Sequence, residues 1–174
     1  MKKIIKIGEL KTIRTRNRKK KIILAHGTFD FFHYGHLKHL RKSKDFADIL
    51  VVSLTSDIFV RKGPGRPIYN QKQRAEIISS LDFVDYVLIA DSPSGIEIIN
   101  SLKPNYYSKG IEYKDKLNDF TKKISLEQKV LKKNRGKIFY TNELVLSASS
   151  MINQIRLNEN TPKNIFLKYY NKTV

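Results

Sequence analysis

The chain contains no cysteine, which excludes disulfides, thiolate metal sites and cysteine nucleophiles and leaves any metal to oxygen ligands. It has no apolar run of membrane-spanning length. The apolar stretch in its basic opening segment, Ile4 to Ile7, is too short for the core of a secretory signal. The expectation is a cytoplasmic protein without a membrane partner. Acidic residues are scarce as well: 16 Asp and Glu stand against 34 Lys and Arg, a formal net charge of +18. Such an excess suits either a nucleic-acid surface or a polyanionic small substrate. The basic residues are spread over many segments and are not interleaved with aromatics on one element, so no specific nucleic acid is expected.

The 174 residues, 40% of them hydrophobic, suffice for one well-packed core. The sequence divides into a basic leader, residues 1–20, a domain over 21–157, and a tail or extra helix over 158–174. Short apolar runs at Lys21–His26, Ile49–Leu54, Phe83–Ala90, Asn105–Ser108 and Lys137–Thr141 read as strands. Between them, Gly35–Lys44, Gln71–Leu81, Ser94–Leu102 and the polar stretch Asn118–Asn134 have helical spacing, with Pro104 a stop and Gly136 a C-cap. Residues 61–67, RKGPGRP, must be a loop. Strands alternating with helices predict an α/β fold, a Rossmann-like doubly wound parallel sheet of five strands in the order 3-2-1-4-5. Ligands of such sheets lie beyond the carboxyl ends of the strands where the order reverses, here after the first and fourth strands.

GTFDFFHYGH, residues 27–36, follows the first strand and enters a helix. Gly27 and Gly35 allow a sharp turn and a close ligand approach, and the helix start offers unpaired amides to an anion. His33 and His36 are three residues apart and share one face of the first turn. Two imidazole donors aimed at one phosphorus suit the charge that grows on its equatorial oxygens during in-line displacement. Lys62 and Arg66 lie in a loop able to fold over an anion, and Arg74 on the next helix could grip phosphate bidentately.

GTFDFFHYGH matches every fixed position of GxFDxxHxGH, and the chain resembles the cytidylyltransferase-like nucleotidyltransferases over about residues 20 to 156. RKGPGRPI with Gln73-Arg74 is similar to the KGxGRPI segment and downstream arginine of the heptose 1-phosphate adenylyltransferases, and KGIEY at 109–113 is similar to their KGGDY. LSASSMI, residues 146–152, stands in the place of ISTTxI. The resemblance implies attack of a substrate phosphate oxygen on the α-phosphorus of a triphosphate held with Mg²⁺, without designated protein ligands for the metal. It implies catalysis by His33, His36 and Lys62, and nucleotide binding by Gly27, Thr28, Phe29, Asp30, His33, Gly35, His36, Arg66, Arg74, Lys109, Gly110, Glu112, Ser147 and Ser149. The implied partners are ATP, or CTP, and a phosphorylated sugar or polyol; a homodimer is compatible with the sequence.

Three functions follow: AMP transfer from ATP to a sugar 1-phosphate, CTP-dependent cytidylyl transfer to glycerol or alditol phosphate, and a basic nucleic-acid-binding domain. The KGIEY and RKGPGRPI segments favour the first. The chain departs from the family at Ala148, in place of a Thr, and at Asn142-Glu143-Leu144-Val145, in place of Arg-Thr-x-Gly. Ile111 and Glu112 replace Gly-Asp. Some relatives fuse this domain to a sugar kinase, so the chain stands alone or is a piece of a longer protein. His26 is open to a strand-end or a site role, His39 has no assigned function, and the tyrosines at 106, 107, 169 and 170 read as sheet core and tail packing.

Overall fold

The computed structural model describes residues 3–63, 65–114 and 123–142. In chain order the elements are α1 (Leu10–Arg16), β1 (Ile22–Gly27), α2 (Tyr34–Phe46), β2 (Ile49–Thr55), α3 (Gln71–Ser79), β3 (Tyr86–Ala90), α4 (Ile96–Leu102), β4 (Tyr106–Gly110), α5 (Lys123–Lys133) and β5 (Lys137–Thr141). All five strands are parallel in one sheet of order β3-β2-β1-β4-β5. This is the expected order.

Alternation along the central strand fills both faces. Ile22 and Leu24 of β1 join one core with Val51, Leu88, Tyr107 and residues of α1, α4 and α5. Ile23 and Ala25 join the other with Leu50, Val52, Leu40 of α2 and Ile78 of α3. A strand covered on both faces can be apolar throughout, which is why these runs show no polar alternation in the sequence. Among the described residues no helix is long and apolar enough to cross a membrane.

The opening segment belongs to the domain, in contrast to the boundary expected at Lys21. Ile5 donates its N–H to Val87 O at 2.9 Å, and Val87 donates to Lys3 O at 2.9 Å, so residues 3–5 pair with the outer edge of β3. Leu10 and Ile13, three apart on α1, enter the core with Ile98, Ile99 and Leu102 of α4. Basic residues occupy the rest of that helix and mask its apolar stripe in the sequence.

The helix ends differ from expectation in detail. Lys103, not proline itself, closes α4 in the left-handed region at φ 46°, directly before Pro104. At the end of α5 the left-handed residue is Arg135, φ 63°, with Arg135 N–H donating to Lys132 O and Gly136 N–H to Leu131 O, a Schellman arrangement. Gly136 is required for space: a Cβ there would come within 2.6 Å of Pro104 O. The Phe83–Ala90 run becomes strand only at Tyr86, with Phe83 and Val84 packed into the second core ahead of it. The expected tail and the LSASSMI segment, with Ser147 and Ser149, lie outside the described residues.

Candidate active site

The connection from β1 into α2 is held in an uncommon shape. Phe29 adopts φ 47°, a left-handed conformation that a bulky side chain rarely takes and that concentrates at functional turns. Burial of its ring in the second core compensates. The same ring stands edge-on to His36, centroids 5.1 Å apart. Gly27 accommodates this turn, since a Cβ there would meet Phe29 Cε2 at 3.1 Å.

His33 is the residue before the first turn of α2 and His36 lies within that turn. Their rings stack with centroids 3.8 Å apart and planes 23° from parallel. Both Nδ1 atoms are buried and lack a hydrogen-bond partner among the described residues. The first helical bond is Leu37 N–H to His33 O, which leaves the three preceding amides free to meet an anion. Burial, with the Lys62 cation second, lowers the pKa of His33. His36 falls to about 3, through burial first and then the charges of His33, Lys62 and His39, against a raising hydrogen bond with the Phe31 backbone. Both imidazoles are therefore neutral at pH 7. A bound phosphate, by adding negative charge, would draw their N–H donors into use.

The basic loop brings the Lys62 charge within reach of this pair. Gly63 and Gly65 take φ 99° and 70°, values that favour glycine and let the loop turn twice in a few residues. Asp30, 1% exposed, anchors it by accepting from Arg66 Nε and, at 2.6 Å, from Ile68 N–H. Arg66 Nη2 remains buried without a partner among the described residues. Lys62 is solvent-accessible as a residue, yet its ammonium lies below the usual lysine range through desolvation and the Arg66 and Arg74 cations, against an opposing effect of Asp30.

Two expected binding roles are corrected by this geometry. Both carboxylate oxygens of Asp30 accept from the loop, so Asp30 acts as its anchor. Arg74 has a fully buried side chain and donates to Tyr69 O (3.0 Å), Thr28 O, Thr55 O (2.9 Å) and Asp57 Oδ1 (2.6 Å). Four of its five N–H donors are thereby consumed. It pins the connections after β1 and β2 to α3, whose start is fixed by an Asn70–Gln73 capping box. It is a scaffold for Thr28, not a bidentate phosphate clamp.

At the end of β4, Lys109 is 9% exposed. Its ammonium lies 3.2 Å from Glu127 Oε2 and over the rings of Tyr107 and Tyr113. Glu127, 2% exposed, also accepts from Gly95 N–H at 2.7 Å and Tyr107 OH at 2.9 Å. Burial alone would raise its carboxyl pKa, but Lys109, Gly95 N–H, His26 and Tyr107 OH outweigh that and lower it. His26 Nδ1 pairs with Ser53 Oγ at 2.6 Å. Gly35 is buried in the first turn of α2, and Gly110 ends β4. The Glu112 side chain lies outside the described residues. No group of three or more His, Asp or Glu that could hold a metal ion is present among the described residues. An open groove of about 500 Å³ lined by residues of α5 and β5, including Leu131, Ile138 and Tyr140, shares none of the residues placed in this crevice.

The sequence profile of the cytidylyltransferase-like family matches residues 24–160. The chain belongs to that family, a family of nucleotidyltransferases. Among curated relatives, the bifunctional protein HldE of Campylobacter jejuni serotype O:6 is 42% identical over 130 residues, covering 72% of this chain and 28% of that protein. HldE of Geobacter metallireducens is 44% identical over 98 residues, 55% of this chain and 20% of that one. The chain thus spans well under a third of the length of these relatives. Among solved structures, a lipopolysaccharide core biosynthesis protein from Thermoplasma volcanium superposes with TM-score 0.59 at 25% identity, over 71% of this chain and 98% of its own. A pantoate-beta-alanine ligase from Francisella tularensis, at 19% identity and TM-score 0.55 over 79% of this chain and 66% of its own, shares the fold.

Within this cytidylyltransferase-like domain, three groups that shape the site escape sequence reading. Asp57, Tyr107 and Glu127 belong to no quoted motif, and each acts on another residue of the site. Asp57 pairs with Arg74 and exchanges hydrogen bonds with Gln71. Tyr107 and Glu127 surround Lys109.

Proposed function

We propose that this domain transfers AMP from ATP to a sugar 1-phosphate, of the heptose-phosphate kind, forming an ADP-sugar and pyrophosphate. The observation that carries the reading is the stacked, neutral His33–His36 pair at the start of α2, with both Nδ1 atoms buried and unpartnered beside Lys62. The 42% identity to the HldE of Campylobacter jejuni supports it.

In the proposed reaction an oxygen of the sugar phosphate attacks the α-phosphorus, the new P–O bond forms, and the bond to the β-phosphate bridging oxygen breaks with its electrons leaving on pyrophosphate. No protein nucleophile is consumed. His33 and His36 donate N–H to the equatorial α-phosphate oxygens, where charge builds up. The amides of the first turn of α2 add to that field. Lys62 and the free Nη2 of Arg66 receive the β- and γ-phosphates, while Lys109 and Gly110 bound the crevice from β4. Mg²⁺ is proposed to arrive as the counter-ion of the triphosphate, in keeping with its usual liganding by substrate phosphates. Alignment of two bound reactants and charge stabilisation supply the acceleration.

The test is a pyrophosphate-release screen of the four nucleoside triphosphates against a panel of sugar and polyol phosphates. Release with ATP and a sugar 1-phosphate is expected; no release with any pair overturns the proposal.

A further inference from the structure

Glu127 lies in a polar helix that carries no recognised motif, yet its carboxylate is among the best-connected groups in the protein. It gathers donors from two other elements: the N–H of Gly95 at the start of α4, and both the hydroxyl of Tyr107 and the ammonium of Lys109 from β4. A buried ion pair of this kind is weak evidence for stability, because desolvation offsets most of the attraction, and an apolar pair of similar size often serves a core as well. Its location offers another reason. Lys109 stands at the carboxyl end of β4, the strand that pairs with β1 where the sheet order reverses. Its charge is also felt by His39, on the helix that carries His36 and is preceded by His33.

We propose that Glu127 is a positioning residue for nucleotide binding and acts through Lys109, an inference that rests on the nucleotidyl-transfer reading above. Left to itself, a lysine on a four-carbon stem loses rotamer freedom whenever it meets a phosphate. Here the Glu127 carboxylate and the Tyr107 and Tyr113 rings hold the ammonium beforehand. One N–H goes to Glu127, and two remain for an anionic oxygen of the nucleotide. Among the described residues, the groups whose charge reaches this pair are His26 on β1, His39 on α2 and the two tyrosines beside Lys109.

A double-mutant cycle on the full chain tests the inference, with ATP affinity read by titration calorimetry and kcat and KM read by pyrophosphate release. Glu127→Gln and Lys109→Met are each expected to weaken ATP binding about tenfold, with kcat changed by less than about threefold. Glu127→Gln is expected to add nothing further in the Lys109→Met background. If Glu127→Gln does not fold, Glu127→Asp, which keeps the charge but shortens its reach, enters the same cycle with the same expected pattern. Unchanged ATP affinity in the Glu127 variant, or an equal penalty in both backgrounds, overturns the inference while leaving nucleotidyl transfer intact. A wild-type chain that neither binds a nucleoside triphosphate nor releases pyrophosphate overturns the underlying reading and this inference together.

Discussion

His33 and His36 present two uncharged rings in parallel, 3.8 Å between centroids, directly ahead of the first helical hydrogen bond of α2. Two imidazolium ions could not share that spacing without strong repulsion, so the burial that keeps both neutral is a condition of the arrangement. Replacement of either by alanine is expected to lower kcat about 10²–10³-fold, as for loss of one transition-state donor, with the melting temperature nearly unchanged. Melting curves beside steady-state kinetics check this, and unfolding without a specific kinetic loss would assign the pair to structure.

Lys62 and Arg66 neighbour each other but should respond differently. Lys62→Ala removes a solvent-accessible cation and is expected mainly to raise KM for the triphosphate, with little change in melting. Arg66→Ala also strips the buried Asp30 carboxylate of its counter-charge, and a loss of about 3–5 kcal/mol of stability is expected. Denaturant unfolding of the two variants in parallel separates the cases.

Arg74→Lys tests the corrected role. A lysine cannot span Tyr69 O, Thr28 O, Thr55 O and Asp57 from one planar group, so the variant should unfold at distinctly lower denaturant and lose activity along with fold. A variant of wild-type stability whose only defect is a raised KM would return Arg74 to direct phosphate contact.

These contrasts show what the sequence reveals and what it hides. The sheet order was legible because each strand is a short apolar run buried on both faces and separated by a helix from the next. The His33–His36 stack was legible because residues three apart share one face of a helix's first turn. Arg74 was misread because a phosphate clamp and a carbonyl clamp call for the same planar donor, and only the folded chain shows which acceptors surround it. Glu127 was invisible because its partners lie 32, 20 and 18 residues away in sequence, at Gly95, Tyr107 and Lys109.

Acid should weaken the fold in a defined window. His39, through burial first and Lys109 second, has its pKa lowered to about 4, and His36 has its own lowered to about 3. Between those values and the ordinary value near 6.5, the unfolded chain takes up protons that the folded chain refuses. Stability is therefore complete above about pH 6.5 and falls as the pH drops through the window, with each group adding a slope of about 1.4 kcal/mol per pH unit. His39→Gln, which keeps a hydrogen-bonding partner for Thr141 Oγ1, should flatten the dependence of unfolding free energy on pH between 6 and 4. An unchanged slope would remove His39 from the account.

Adenine and cytosine differ in size and donor pattern, and under the proposed function the base is expected to be read near the ends of β4 and β5. ATP is expected to exceed CTP in kcat/KM by at least about tenfold, only about 1.4 kcal/mol of transition-state binding. Direct competition of the two nucleotides for one accepted sugar phosphate decides it, and a predominance of CDP-linked product would reverse the assignment.

Residues 3–5 lie along the outer side of β3, and α1 buries Leu10 and Ile13 in the core it shares with α4. A version trimmed to begin at Lys21 would bare a row of unpaired amides and carbonyls beside an apolar trough, the combination from which edge-to-edge aggregation starts. Residues 3–5 thus act as a guard for the edge of the sheet, and any fusion or truncation that disturbs their pairing with Val87 is expected to expose that edge.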